Sequence, residues 1–174
     1  MKISVMLAAA VLAAACCGCA SDAVTWETVD DEIVEASGPA EEPYIITFGV
    51  PSDVDADPLT DGSRSLYVQE DGDYEILSDV VTAPNHDAAI EQVSGFPANE
   101  LDILETTRFG LPEYRFAWVS ESDEGSYVSQ AAVVEDGNYY YTLVFSAREE
   151  VGNAYDSCAE EVFASFGIYG NEML

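Results

Sequence analysis

The sequence predicts an α+β domain: an antiparallel sheet of about six to seven strands, with a short helix and a long C-terminal amphipathic helix packed on it. Three observations predict it. β-branched and aromatic runs recur, joined by Asp71-Gly72 and Asp136-Gly137 steps that suit tight hairpins because both residue types tolerate positive φ. A short run after Pro84 carries apolar residues at helical spacing and stops at Gly95 and Pro97. Near the C-terminus, Val151, Tyr155, Cys158, Val162 and Phe166 recur at spacings of three and four, the stripe of a helix lying on a core.

The chain opens with Met1 and Lys2, then an apolar run from Ile3 to Ala15, with no acidic residue before Asp22. A basic start, an apolar run too short to span a bilayer and small residues at its end describe a secretory leader. Cysteines 16, 17 and 19 follow directly. Leu12-Ala13-Ala14-Ala15-Cys16 resembles the lipobox of bacterial lipoproteins, whose cysteine becomes the lipidated first residue of the mature chain. The resemblance implies lipid attachment at Cys16, with Cys19, after Gly18, as the second choice. It also implies a membrane partner reached through the lipid, on the extracytoplasmic face. Two acyl chains hold a membrane where one does not. There is no twin-Arg pair, which points to the general secretory route.

The chain then divides into a signal peptide (1–15), a lipidated N-terminus with an acidic tether (16–42), one α+β domain (43–170) and a tail (171–174). Gly38-Pro39 sits near the end of the tether, and Val24, Trp26 and Thr28 hint at a short strand within it. In the domain, "YIITFGV" (44–50) reads as a strand ending at Pro51, and "RSLYVQE" (64–70) with "YEILSDVV" (74–81) as a hairpin. Asn85 or Asp87 caps the short helix, whose apolar positions are Ala89, Ile90 and Val93. "LDILETT" (101–107) is a further strand. A meander follows: 112–120, 126–135 and 138–147. Tyr114, Phe116 and Trp118 share one face of its first strand, and Tyr139, Tyr141, Leu143 and Phe145 share one face of its last. The final helix is expected over about 150–166. Cys158 falls in the middle of its apolar stripe, which predicts a small buried hydrophobe rather than a reactive thiol.

Composition excludes several functions. Five basic residues stand against 34 acidic ones, for a formal charge of −29, while 48% of residues are hydrophobic. Such a chain has a core but repels phosphate, so no nucleic-acid partner is expected. Its surface repels anionic lipid as well. So much acid first serves solubility; diffuse binding of divalent cations or of a basic partner is the other use.

The order of elements carries a resemblance. "YYYTLVFSAREEVGNAYDSCAEEVFASF" (139–166) and "YIITFGVP" (44–51) resemble the last strand and helix and the early strand of the Mog1/PsbP-like proteins. That resemblance covers about residues 44–168. It implies an antiparallel sheet with helices packed on it, used for binding and assembly at membranes, and it supplies no catalytic residues.

The chemistries tested give little. Asp53, Asp55, Asp57 and Asp61 lie in an acidic run suggestive of a calcium loop, with the first three at ligand positions one, three and five. The Gly of position six is Pro58, however, and the bidentate Glu of position twelve is Arg64. The run is therefore a weak candidate at most, and no metal or other cofactor is expected. His86 is the only histidine and reads as a surface residue beside the helix cap. No catalytic residue stands out. The expectation is a non-catalytic, membrane-anchored extracytoplasmic lipoprotein that binds a protein partner or ligand or supports a surface assembly. A cell-envelope enzyme using Asp/Glu chemistry is the alternative, and a weak divalent-cation-binding module a further one.

Overall fold

A computed structural model describes residues 38–56, 63–122 and 125–170. Nine strands are seen among them: β1 (Ile45–Thr47), β2 (Val54–Ala56), β3 (Ser65–Gln69), β4 (Tyr74–Val81), β5 (Leu104–Arg108), β6 (Leu111–Ser122), β7 (Gly125–Glu135), β8 (Tyr140–Arg148) and β9 (Gly167–Tyr169). Two α-helices, α1 (His86–Ser94) and α2 (Asp156–Ala164), complete the fold with short 3-10 turns at Ala98–Glu100 and Gly152–Tyr155. Seven strands form one antiparallel sheet in the order β2-β3-β4-β8-β7-β6-β5.

The centre of the sheet is β8, held between β4 and β7 and buried from Tyr140 to Ala147. A strand covered on both faces needs apolar residues at every position, which is why "YYTLVFSA" does not alternate with charge. Its odd positions, Tyr141, Leu143, Phe145 and Ala147, meet Ala159, Val162, Phe163 and Phe166 at the C-terminal end. Its even positions Tyr140 and Val144 join Tyr114, Phe116, Val133 and the α1 residues Ala89 and Ile90 on the other face. The molecule is thus a sheet between two helical layers.

α1 starts where the sequence places it. Asn85 Oδ1 accepts from the Ala88 N–H at 2.9 Å, and Gly95 closes the helix at φ +79, donating to Glu91 O at 2.8 Å. The C-terminal helix is a correction: in place of a long helix over 150–166, α2 runs for nine residues after a 3-10 turn. Gly152 and Asn153 are poor helix formers, and no side chain caps the N-terminus. Ser165 ends the helix. Its Oγ donates to the Val162 carbonyl at 2.8 Å and accepts from the Gly49 N–H at 2.8 Å. Cys158, in the first turn of the shortened helix, is half-buried against the core rather than wholly inside it.

Two short strands had no signal of their own. β2 extends the sheet beyond β3, and β9 pairs with β1 as a separate ribbon, Ile46 opposite Ile168. The early strand therefore lies outside the main sheet. At Gly167 the ribbon is tight: a Cβ there would stand 2.8 Å from the Tyr169 ring and 3.0 Å from Thr47 Oγ1, so a larger residue would have to displace the Tyr169 side chain.

Residues 38–44 lie on the turn between β7 and β8, and Asp136 organises the contact. Its Oδ1 accepts from the Asn138 and Tyr139 N–H groups at 2.7 and 2.8 Å. Its Oδ2 accepts from the Tyr141 hydroxyl at 2.7 Å and the Ala40 N–H at 3.3 Å. Tyr141 Oη accepts in turn from the Tyr44 N–H at 3.1 Å, and Asn138 Nδ2 donates to Ala40 O at 2.8 Å. These bonds tie residues 40–44 to the turn between β7 and β8. Asp136→Ala leaves these buried donors unmatched and is expected to cost about 3 kcal/mol, the scale for hydrogen bonds to a charged group. Urea unfolding monitored by circular dichroism measures it.

Candidate functional site

The α2-side face of the sheet is only partly covered, and the uncovered part is a groove of about 320 Å³. Its floor is Phe145 and Ala147 of β8 with Val128 and Gln130 of β7. Its wall is Asn153, Tyr155, Asp156 and Ala159, and Glu149 stands at its rim. Aromatic packing holds the wall upright. The Tyr155 ring lies 4.8 Å from that of Tyr74, which stacks on Phe145 at 5.0 Å. The hydroxyls finish the job: Tyr155 donates to Asp73 Oδ2 at 2.9 Å and Tyr74 to Asp53 Oδ1 at 2.7 Å.

The far end of α2 is held by Arg108. Its Nε donates to Glu113 Oε1 at 2.8 Å, its Nη1 to the Phe166 carbonyl at 2.7 Å and its Nη2 to the Phe163 carbonyl at 3.1 Å. A guanidinium on the last carbonyls of a helix answers both their unmet acceptors and the negative end of the helix dipole. Arg115 lies over the Phe163 ring at 5.1 Å.

The floor continues past the groove onto β6. Ala117 stands opposite Gln130 and Val119 opposite Val128, and Val119 is 52% exposed. β5 pairs only with residues 111–115 of β6. From Phe116 to Ser122, β6 is therefore the outer edge of the sheet among the described residues. A second groove, of about 380 Å³, lies between residues 42–46 and strands β3 and β4.

The residues singled out in the sequence are dispersed. Cys16 and Cys19 lie outside the described residues, as do Asp57 and Asp61. Asp53 is engaged by Tyr74, and Asp55 stands exposed in β2, paired with Val68, where an extended backbone carries it along the sheet edge rather than around an ion. Among the described residues, no group of three or more His, Cys, Asp or Glu side chains is placed to hold a metal. His86 is the first residue of α1 and stacks on Tyr114 at 4.7 Å. The groove itself escaped sequence reading, because Gln130, Glu149 and Asp156 come from three separate elements. The one available signal was Val119, an apolar residue on the strand face opposite Phe116 and Trp118.

These features define a class by fold. The arrangement is Mog1/PsbP-like: an antiparallel sheet between helical layers, closed by a C-terminal helix. The solution structure of cyanobacterial PsbP (CyanoP) from Synechocystis sp. PCC 6803 matches with a TM-score of 0.52 at 13% identity, over 71% of this chain and 86% of that one. LpqN of Mycobacterium tuberculosis, involved in cell envelope biogenesis, gives 0.48 at 14% identity, over 75% and 87%. The Saccharomyces cerevisiae Ran-binding protein Mog1p gives 0.49 at 14% identity, over 71% and 89%. At such identities the likeness is one of fold. No family profile matches the sequence, and no curated protein does.

Tyrosine hydroxyls around both ends of the sheet are held neutral. Burial, then the neighbouring Glu135 carboxylate, pushes Tyr114 and Tyr140 up to about 12. The hydrogen bond to Asp73, then burial, does the same for Tyr155, again to about 12. Burial drives Tyr74 and Tyr141 further up. A raised phenol stabilises the fold fully below its unfolded value near 10, and that contribution is lost as pH rises towards 12. The domain is expected to unfold between pH 10 and 12, with a cooperative rise in phenolate absorbance that coincides with loss of circular dichroism.

Proposed function

We propose that this protein is a membrane-anchored extracytoplasmic lipoprotein that binds a partner protein and does no chemistry. The observation that carries the binding reading is the groove, whose floor of Val128, Gln130, Phe145 and Ala147 is continued in register by exposed Ala117 and Val119 of β6. The anchoring half rests on the sequence: the apolar leader, the Leu12–Cys16 lipobox and the acidic stretch that follows it. No helix of the described residues is long and apolar enough to cross a membrane, and the lipid supplies the attachment.

Glu149 and Asp156 share the groove, an arrangement that an acid–base enzyme would also use. Both are solvent-exposed, whereas carboxyl catalysis at neutral pH relies on a desolvated acid. Binding is therefore the reading adopted.

Two measurements test it. Intact mass of the mature protein is expected to show a diacylglycerol on its first residue, lost together with membrane retention in Cys16→Ser. Transfer of that effect to Cys19→Ser would move the attachment site, and a processed chain without acyl mass would end the anchoring claim. A photo-crosslinking residue at position 130 is expected to capture a discrete envelope protein, and one at exposed Glu91 on α1 is not. Equal capture at both would remove the groove from the account.

A further inference from the structure

We propose that the outer edge of β5, Leu104–Arg108, accepts an extended segment of a partner protein as an added strand, with basic side chains on the α1 face of the sheet and apolar ones on the α2 face. The surface is separate from the groove, so the inference goes beyond the binding reading above and names a second contact with its chemistry.

Three observations carry it. First, β5 ends the seven-stranded sheet. It pairs with β6 from Leu104–Arg115 to Arg108–Leu111, and among the described residues no strand lies beyond it. Residues 104–107 are exposed. A strand edge presents a row of N–H and C=O groups whose natural complement is another extended chain. Native edges are commonly blunted by lysine or proline, and β5 has neither. Second, apolar surface stands out on this hairpin. Leu104 is 63% exposed. Phe109 and Gly110 form the two-residue turn at φ +53 and +80, where Asn, Asp or Gly is the usual first residue. A bulky residue held in that region costs backbone energy, and with Phe109 37% exposed, burial within this chain repays little of it.

Third, the register sorts charge by face. On the α1 face Glu105 stands opposite Tyr114. The Tyr114 hydroxyl donates to Glu135 at 3.1 Å, and its ring stacks on His86, which lies 3.3 Å from Asp87. Three carboxylates therefore gather on that side. On the α2 face Leu104 stands opposite Arg115, whose guanidinium lies over Phe163, and Arg108 reaches the carbonyls of α2. The carboxylate of that face, Glu113, is buried and already paired with Arg108 at 2.8 Å. A cation is favoured on one side of the edge and opposed on the other.

That pattern selects the occupant. Successive residues of a strand point to opposite faces, so a segment alternating Lys or Arg with Val or Leu presents one class to each side. Its basic residues lie beside Glu105, within the field of Glu135 and Asp87, and its apolar residues cover Leu104. A uniformly basic segment would bring cations against Arg108 and Arg115. A second copy of this chain would bring −29 against −29, and the chain's own stretch 20–37 is acidic. Like charge opposes both at an edge flanked by Glu105.

The test is hydrogen–deuterium exchange of the full chain with synthetic octapeptides: Lys alternating with Val, Glu alternating with Val, and a block of Lys followed by a block of Val. The alternating Lys-Val peptide is expected to slow exchange in 104–108, and to do so less in high salt. The Glu-Val and block peptides are expected to leave the segment unchanged. Leu104→Ser, at an exposed position that leaves the core intact, is expected to weaken binding of the Lys-Val peptide about tenfold, the scale for losing a covered leucine contact. Glu105→Gln weakens it at low salt only. Equal protection by the alternating and block peptides, protection confined to other strands, no protection at about millimolar peptide, or an unchanged affinity in Leu104→Ser would each overturn the proposal. Protection of 104–108 without peptide would overturn it too: loss of that protection on dilution would identify a second copy as the occupant, and its persistence the chain's own segment. If 104–108 stay unprotected while position 130 still crosslinks an envelope protein, the strand-addition inference fails and the binding reading stands. If 104–108 are protected while position 130 captures nothing, the groove is lost and the edge remains.

Discussion

The structure depends on one guanidinium. Arg108 leaves the β5–β6 hairpin, pairs with Glu113 beneath it, and donates to two carbonyls at the end of α2. Glu113 is 4% exposed, so this pair is out of water and cannot be replaced by solvent. Breaking one half of such a pair is costly because the other half is left charged and buried. Through Arg108 the hairpin and the helix become one body. The wall of the groove is the same helix, and the floor beyond it is the same β6. The site and the fold therefore share a fastener.

Elsewhere the chain manages its acids without cations, because it has few. Of the four arginines in the domain, Arg108 and Arg115 face α2, and the sequence offers no lysine beyond Lys2. Phenols take over the role. Tyr141 donates to Asp136, Tyr74 to Asp53, Tyr155 to Asp73, and Tyr114 and Tyr140 both to Glu135. A phenol satisfies a carboxylate while its ring fills the core, something an ammonium does not do. It also avoids the cost of taking a second charge out of water. The tyrosines so used are those whose hydroxyls are held neutral well above their ordinary range. This is how an extremely acidic chain builds an ordered interior.

Much of the fold was legible because local signals agreed. The Asp71-Gly72 and Asp136-Gly137 steps marked hairpins, Asn85 and Gly95 bracketed α1, and the aromatic runs of β6 and β8 gave the two faces of the sheet. The signals failed where tertiary contacts decide. β2 and β9 are three residues each, too short for a period. β1 reads as a sheet strand but pairs with β9, because only the C-terminal chain turning at Ser165 brings a partner to it. The apolar stripe over 151–166 is real, yet Gly152-Asn153 holds its first turn in 3-10 geometry. A stripe reports which side faces the core, not how far the helix extends. The groove was not legible, since its residues are assembled by the strand order.

If α2 is the wall of a binding groove held in place by Arg108, removing that hold should free the helix and leave the sheet. The direct measurement is hydrogen exchange of the double variant Arg108→Met, Glu113→Leu, which takes away the clamp without stranding a buried charge. The account predicts selective loss of protection over 156–164, with β4, β7 and β8 exchanging as in the unaltered protein. Unchanged protection in α2, or an equal loss throughout the sheet, would contradict it.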